Sequence, residues 1–294
     1  MQAEEAAISA GTRPCPSPLR LAGHEVDGIS VGGQQTCVVL PGLKVAFDAG
    51  RCPQRACHMQ HLLLSHCHLD HVGGAGQLVA TRAMLRLAPP TVAVPAECEA
   101  GVRAYFEALR ALDGSGLEHE LAPLHRGGEV RLSREHVAAS FETVHVVPSQ
   151  GYVVYSTRNK LRAEFAGLPG KEIAQRRAAG EQMTREVRVP EVAFTGDTTA
   201  AWMGLEGSRD ALRAKLLIME CTFVDGSVSE ADAEAWGHTH VDAIARNAGA
   251  IEAEHVLLIH FSPRYKAEEV VAALDERLPA ELRARVTPLL TGFR

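Results

Sequence analysis

The segment Leu62-Leu63-Leu64-Ser65-His66-Cys67-His68-Leu69-Asp70-His71-Val72-Gly73-Gly74 decides how this chain is read. Three imidazoles and a carboxylate fall between positions 66 and 71. Such groups at close quarters hold borderline metals such as zinc. The alternation His66-x-His68-x-Asp70 places three of the four on one side of an extended segment, with His71 turned toward an adjacent position. One ion does not comfortably take four ligands from so short a stretch; two neighbouring ions, each completed from elsewhere, do. The alternative is a histidine-rich surface turn that binds nothing. The flanks oppose it, since Leu62-Leu63-Leu64 reads as a buried strand and Gly73-Gly74 relieves crowding at a tight turn. The C-terminal ends of strands are where α/β folds place their chemistry.

Outward from this segment, Val26–Val31, Thr36–Leu40 and Lys44–Asp48 read as short strands parted by Gly32-Gly33 and Pro41-Gly42. Residues 61–65 form the strand that leads into the cluster. A helix is expected over about 76–87, then a strand at Thr91–Pro95. Val102, Phe106, Leu109 and Leu112 recur at helical spacing before Gly114. Strands dominate from Leu117 to Tyr155. Alternating strands and helices resume at Val192 and run to the end. A strand-rich first half, an interruption and an αβ second half suggest an αββα sandwich, two stacked sheets with helices outside.

The interruption is basic. From Arg158 to Arg188, eight basic residues (Arg158, Lys160, Arg162, Lys171, Arg176, Arg177, Arg185, Arg188) face four acidic ones, a net +4. The whole chain is −6, so the remainder carries −10. Net charge alone speaks against a nucleic-acid binder, but a basic excursion on an acidic body is a candidate phosphate contact. The bland reading of the same stretch is a solvated helical linker without a core face.

With 294 residues, 46% apolar and 22% charged, the chain suits a soluble domain with a sizeable core. No apolar run is long enough for a bilayer, so no membrane partner is expected. The first twenty residues carry no secretory or organellar pattern, and residues 1–22, with Pro14, Pro16 and Pro18, read as a flexible tail. Residues 23–294 then form one domain bearing an inserted arm at about 158–188. Seven cysteines, an odd number without a C-x-x-C pair, suit a reducing cytosolic or nuclear setting. Cys67 alternates away from its neighbours and is expected to pack in the core.

Two metals need roughly seven protein ligands, and three more candidates each end an apolar strand. His145 follows Phe141–Val144, Asp197 follows Val192-Ala193-Phe194-Thr195-Gly196, and His260 follows Val256-Leu257-Leu258-Ile259. An apolar strand ending in a polar ligand, three times over, is something core packing does not require.

The order His66-x-His68-x-Asp70-His71, His145, Asp197, His260 resembles the metallo-β-lactamase superfamily. Within it, Phe47-Asp48-Ala49-Gly50, Pro148-Ser149-Gln150-Gly151-Tyr152, Phe194-Thr195-Gly196-Asp197-Thr198, Glu220-Cys221-Thr222-Phe223, Gly237-His238 and His260-Phe261-Ser262-Pro263-Arg264-Tyr265 are similar to ribonuclease Z, short form and plant-like. The resemblance runs from about Gly28 to the C-terminus. It implies the metallo-β-lactamase αββα fold and an endoribonuclease that removes the 3′ trailer from precursor tRNA, leaving a 3′-hydroxyl. It implies two Zn2+ per chain, with Mn2+, Mg2+ or Ca2+ as substitutes: His66, His68 and His145 on one ion, Asp70, His71 and His260 on the other, Asp197 between them. Paired ions about 3.5–4 Å apart lower the pKa of a shared water and neutralise the phosphodiester under attack.

On the same resemblance Asp70 also aims that water, Asp48 orients a ligand histidine, and His238 is the acid for the departing 3′ oxygen, kept protonated by Glu220. Where many relatives read His-Ser-Thr, this chain has His238-Thr239-His240, which leaves two imidazoles competing for the role. The basic stretch takes the place of the family's tRNA-gripping arm, which in relatives reaches from one subunit of a homodimer to its partner. Arg158, Lys160, Arg162, Lys171, Arg176 and Arg177 would contact phosphates there. A thioester, lactone or small phosphodiester hydrolase on the same fold, and an RNA-binding subunit with a degenerate centre, are the competing expectations.

Overall fold

Runs such as Leu62-Leu63-Leu64 and Leu216-Leu217-Ile218-Met219 are apolar at every position, so strands built from them need cover on both faces. The computed structural model, which describes residues 18–293, supplies it with two seven-stranded sheets stacked face to face and helices outside each. The first sheet is β1 (Leu19–Leu21), β2 (His24–Val31), β3 (Gln35–Leu40), β4 (Val45–Phe47), β5 (His61–Leu63), β6 (Thr91–Pro95) and β7 (Glu120–Leu124), in that spatial order. The second runs β8 (Glu129–Arg131), β9 (His136–Glu142), β10 (Gln150–Leu161), β11 (Thr184–Phe194), β12 (Leu216–Glu220), β13 (His255–Ile259) and β14 (Val286–Pro288). Each sheet is antiparallel over its first four strands and parallel over its last four. The fold is the αββα sandwich expected from the sequence.

Period-two alternation sorts the core into three layers. Leu63, Phe194, Leu216, Ile218, Leu257 and Ile259 point between the sheets, where Phe47 stacks on Phe194 at 4.7 Å between ring centroids. Their neighbours Leu62 and Leu64 turn outward to α2 (Ala75–Met84, after the single turn α1, Leu69–Val72) and α3 (Glu99–Asp113). In α3, Val102 and Phe106 are one turn apart and buried, and Gly114, left-handed at φ 72°, ends the helix. On the far face Leu217, Met219 and Leu258 meet Trp202 and the helical residues Ile244 and Leu274. Truncating a fully buried ring such as Phe47 costs about 3–5 kcal/mol by loss of transfer energy and cavity formation.

Three local expectations change. The tail expected over residues 1–22 gives way at Leu19: β1 pairs antiparallel with β2, and Leu19 and Leu21 are buried. Residues 1–17 of that tail lie outside the described residues. The cluster is not extended throughout; β5 stops at Leu63 and Leu69–Val72 is one helical turn, so Asp70 and His71 are aimed by a helix and His66 and His68 by the loop before it. The basic stretch is no helical linker. β10 and β11 continue as a two-stranded ribbon beyond β9, pairing Arg158 with Val187 and Leu161 with Thr184. At its end α4 (Gly170–Ala178) and the buried side chains of Phe165 and Met183 make a small cap.

Candidate active site

The candidate donors sit at the ends of strands β4, β5, β9, β11, β12 and β13 or in the segments that follow them, Asp70 and His71 in α1 and His238 just after a short helix. What holds the first loop is Asp48. Its backbone is left-handed (φ 55°), a conformation that costs a non-glycine residue energy and clusters at functional sites. Its carboxylate accepts from Ser65 N (2.7 Å), Ser65 Oγ (2.8 Å) and His71 Nδ1 (2.8 Å). The next turn packs backbone to backbone on the one-turn helix. Ala49 N donates to His71 O at 2.7 Å, and a Cβ on Gly50 would lie 1.7 Å from the Asp70 carbonyl oxygen, so only glycine fits. Gly196 does the same for Asp197: it is left-handed, and a Cβ there would meet Ser65 Cβ at 2.3 Å.

The seven candidate ligands converge. His66 Nε2, His68 Nδ1 and His145 Nε2 face one another, with His66–His68 at 3.1 Å and His68–His145 at 3.3 Å. His71 Nε2 and His260 Nε2 are 3.3 Å apart, and each is 3.5 Å from Asp70 Oδ2. Asp197 Oδ2 joins the two groups, 3.8 Å from His66 Nε2 and 3.3 Å from both His71 and His260 Nε2. Metal–nitrogen bonds of about 2.0–2.1 Å in a tetrahedron require ligand atoms about 3.3 Å apart, which is the spacing found.

The outward nitrogens confirm which atoms are free. His66 Nδ1 is 3.0 Å from Ser65 Oγ, whose own proton goes to Asp48; His145 Nδ1 donates to Gly237 O at 2.8 Å; His260 Nδ1 is 3.1 Å from Thr222 Oγ1, whose proton goes to Glu220. With His71 Nδ1 on Asp48, four of the five histidines tie one nitrogen to an outward partner and aim the other at the centre, the arrangement that orients metal-ligating imidazoles. Burial pushes the pKa of His66 well below its usual value and lowers that of His145, so both are neutral. Burial works to raise the Asp197 carboxyl, but His260 and His71 outweigh it and hold it well below the usual range. Its other oxygen, Oδ1, is buried without a hydrogen-bond partner. A buried carboxylate oxygen left open among inward-facing imidazole nitrogens fits a divalent cation.

At the edge of this centre His238 Nδ1 meets Glu220 Oε1 at 3.1 Å. Glu220, fully buried, is a hub that also accepts from Thr198 N (2.7 Å), Thr239 N (3.0 Å) and Thr222 Oγ1 (2.6 Å). Burial opposes a charge on His238, yet the Glu220 carboxylate prevails and raises its pKa to about 9. In the chelated protein a raised folded-state value adds stability that is complete below the unfolded value of about 6.5. That contribution disappears as pH rises through about 9. The unfolding free-energy gap between wild type and His238→Gln, measured by urea titration in EDTA, should therefore shrink from pH 7 to pH 10. A gap that grows with pH contradicts the ion pair.

Residues 41–261 match the model of the Beta-lactamase superfamily domain. The chain is 44% identical over 275 residues to tRNase Z TRZ1 of Arabidopsis thaliana, an overlap of 94% of this chain and 98% of that one. The chain belongs to the tRNase Z family. Membership makes it a ribonuclease Z, an endoribonuclease of tRNA 3′ processing. It is also 45% identical to the chloroplastic tRNase Z TRZ2 of the same plant, over 94% of this chain and 78% of that one. Among solved structures, the short form of human tRNase Z (ELAC1) shares the fold, with a TM-score of 0.58 at 19% identity over 90% of this chain and 95% of that one.

Against this tRNase Z framework the remaining candidate residues can be placed. His240 lies outside the centre: it caps α7 (Val241–Arg246), accepting from Asp242 N at 3.1 Å through Nδ1, and its Nε2 donates to Asp225 O at 2.9 Å. Both nitrogens are spent. His238 also falls in a group with Asp197 and His260 whose spacing could hold an ion, but its Nδ1 is engaged by Glu220. Cys67 packs beside the outer core of the first sheet as expected, and the six described cysteines are free. Sequence reasoning missed the supporting contacts of Ser65, Thr222 and the Gly237 carbonyl. Thr222 had a local signal, since two residues on from Glu220 it shares that residue's side of an extended step.

Of the arm residues, Arg158, Lys160, Arg162, Lys171 and Arg177 are exposed. Arg176 is half-buried, bound to Glu172 at 2.8 Å and lying over the Phe165 ring, so it holds the cap together. Gln150, at the start of β10, donates its N–H to Ser65 O at 2.9 Å beside the centre. Eleven residues later Leu161 is roughly 35 Å away along the strand. The arm therefore leaves the sandwich at the end opposite the chain's own cluster of candidate donors. Among the described residues no helix is long and apolar enough to cross a membrane.

Proposed function

We propose that this chain removes the 3′ trailer from precursor tRNA and leaves a 3′-hydroxyl, with two zinc ions as cofactor. The observation that carries the reading is the convergence of seven inward-facing donors beside a protonated His238. His66, His68 and His145 would hold one ion, Asp70, His71 and His260 the other, and Asp197 both. The imidazole-rich donor set favours zinc; Mn2+, Mg2+ or Ca2+ would substitute where carboxylates share the site. Bound there, two divalent cations supply water acidification at neutral pH and charge neutralisation at the phosphate.

The chain's own groups do the rest. Asp70 accepts a hydrogen bond from the attacking water and fixes its direction. His238, its Nδ1–H committed to Glu220, presents Nε2 as the proton source for the departing 3′ oxygen, which leaves poorly as an alkoxide. The arm, with Arg158, Lys160, Arg162, Lys171 and Arg177 exposed, grips the tRNA backbone by charge and shape with little sequence readout. Because it projects away from its own centre, it would serve a partner subunit's centre in a homodimer. Free cysteines suit a reducing cytosolic or nuclear compartment.

The test is to incubate the purified chain with a precursor tRNA and map the cut. A cut at the mature 3′ end bearing a hydroxyl, abolished by excess EDTA and restored by zinc, is expected, with about two zinc ions per chain by elemental analysis. Cleavage elsewhere, or cleavage indifferent to chelation, sinks the reading; a chain that binds tRNA but no metal would be an RNA-binding subunit instead.

A further inference from the structure

A groove of about 320 Å³ opens from His238 and His260, and its outer wall of Phe223, Trp236 and Arg264 is left unused by the chemistry above. One wall is Trp236, 52% exposed, a large apolar side chain left in water. Phe223, nearly buried, backs it edge-on, with ring centroids 5.7 Å apart and planes at 64°. The Arg264 guanidinium sits 5.4 Å from the centroid of Phe223. The groove thus offers an indole, a second ring and a cation, the combination on which an unpaired base of single-stranded RNA stacks while its phosphate is neutralised.

Its placement is rigid. Trp236 ends α6 (Glu230–Ala235), donating N–H to Asp232 O at 3.0 Å, and Gly237 N donates to Glu234 O at 2.9 Å. Gly237 is left-handed (φ 82°), and a Cβ there would stand 2.5 Å from His145 Nδ1, so the turn is wedged against the centre. Indole and proton donor are therefore held on either side of one immovable glycine.

The direction of the cut then says which nucleotide comes here. When the trailer leaves as a 5′-phosphate, the oxygen that departs and takes the proton is the O3′ of the last nucleotide kept by the tRNA. The group that protonates it lies beside that nucleotide, not beside the trailer. The groove next to His238 is accordingly on the retained side. We propose that Trp236, backed by Phe223 and Arg264, stacks on the base of the last nucleotide retained by the tRNA and so sets where the cut falls. This rests on the trailer-removal reading.

The test combines base deletion with mutation. Precursor tRNAs that are intact, abasic at the last retained nucleotide, or abasic at the first trailer nucleotide are cleaved by wild type, Trp236→Ala and Trp236→Phe. Loss of one stacked base costs about fivefold to a hundredfold in kcat/KM. Wild type should lose that factor on the retained-side abasic substrate. Trp236→Ala should begin lower on the intact substrate by a similar factor and lose nothing more when the base is removed; Trp236→Phe should retain most of the wild-type preference. As a readout independent of turnover, mature tRNA carrying 2-aminopurine at its 3′ end should be quenched on binding wild type but not Trp236→Ala. A Trp236→Ala defect that persists on the abasic substrate, or that follows the trailer base, overturns the assignment while leaving trailer removal intact. Failure of wild type to cut the precursor at its 3′ end overturns both.

Discussion

His238→Ala should lower kcat on precursor tRNA by about 10²–10⁴-fold, the usual contribution of a general acid, and leave the metal content at the wild-type level. The two halves of that expectation come from different contacts. Turnover falls because the Nε2 proposed to protonate the departing oxygen is gone; His240 cannot replace it, having given one nitrogen to Asp225 O and the other to Asp242 N. Metal stays because the seven donors meet one another without His238. A substrate whose leaving group departs without a proton, such as a p-nitrophenyl phosphodiester, should be affected far less. Steady-state kinetics on both substrates and elemental analysis decide it. Loss of zinc along with activity would make His238 a ligand, as its spacing to Asp197 and His260 permits, and unchanged turnover would remove it from the chemistry.

Asp48→Ala should weaken zinc binding by about 10–100-fold, the range for losing a group that orients a ligand imidazole. It should also destabilise the chelated protein by about 3–5 kcal/mol, as breaking a buried ion pair does. Asp48 and His71 are both completely buried. Burial pushes the Asp48 carboxyl up, with His71 and Ser65 opposing. Removing the carboxylate strands His71 Nδ1 and the Ser65 N–H without acceptors, and alanine is strained at φ 55°. Asp48→Asn separates these effects, because asparagine tolerates the left-handed backbone and can still accept from Ser65 N. It should recover part of the stability and little of the zinc affinity. Chemical denaturation with chelator and a competitive zinc titration measure the two. Zinc affinity that matches wild type in Asp48→Ala would show that His71 needs no such anchor.

Much of this was legible in the sequence for one reason: each donor follows an apolar strand, so the pattern of core and ligand is written locally. Leu62–Leu64 before His66, Val192–Phe194 before Asp197 and Val256–Ile259 before His260 all announce themselves by composition. The one-turn helix at Leu69–Val72 does not, because tertiary contacts make it: Ala49 N on His71 O, and Gly50 pressed against Asp70. The ribbon of the arm is hidden for a related reason. On β10 the ribbon residues Arg158-Asn159-Lys160 are all exposed and pair only with β11, so this stretch lacks the apolar alternation that marks a strand. Leu19–Leu21 was concealed by its proline-rich neighbours. Sequence alone could not separate His238 from His240 as candidate proton donors, since two residues of spacing carry no information about which carbonyls and carboxylates lie nearby.

The donors are shared unevenly in time as well as in space. Synthesis proceeds from the N-terminus, and the first sheet emerges with four of them, but His260 waits for β13, the penultimate strand of the second sheet. A nascent or truncated chain that lacks β13 cannot close the centre, however well its first half has folded. If His260 is a ligand as proposed, nuclease competence arrives only late in the ribosome's work on this chain, after β13 has emerged.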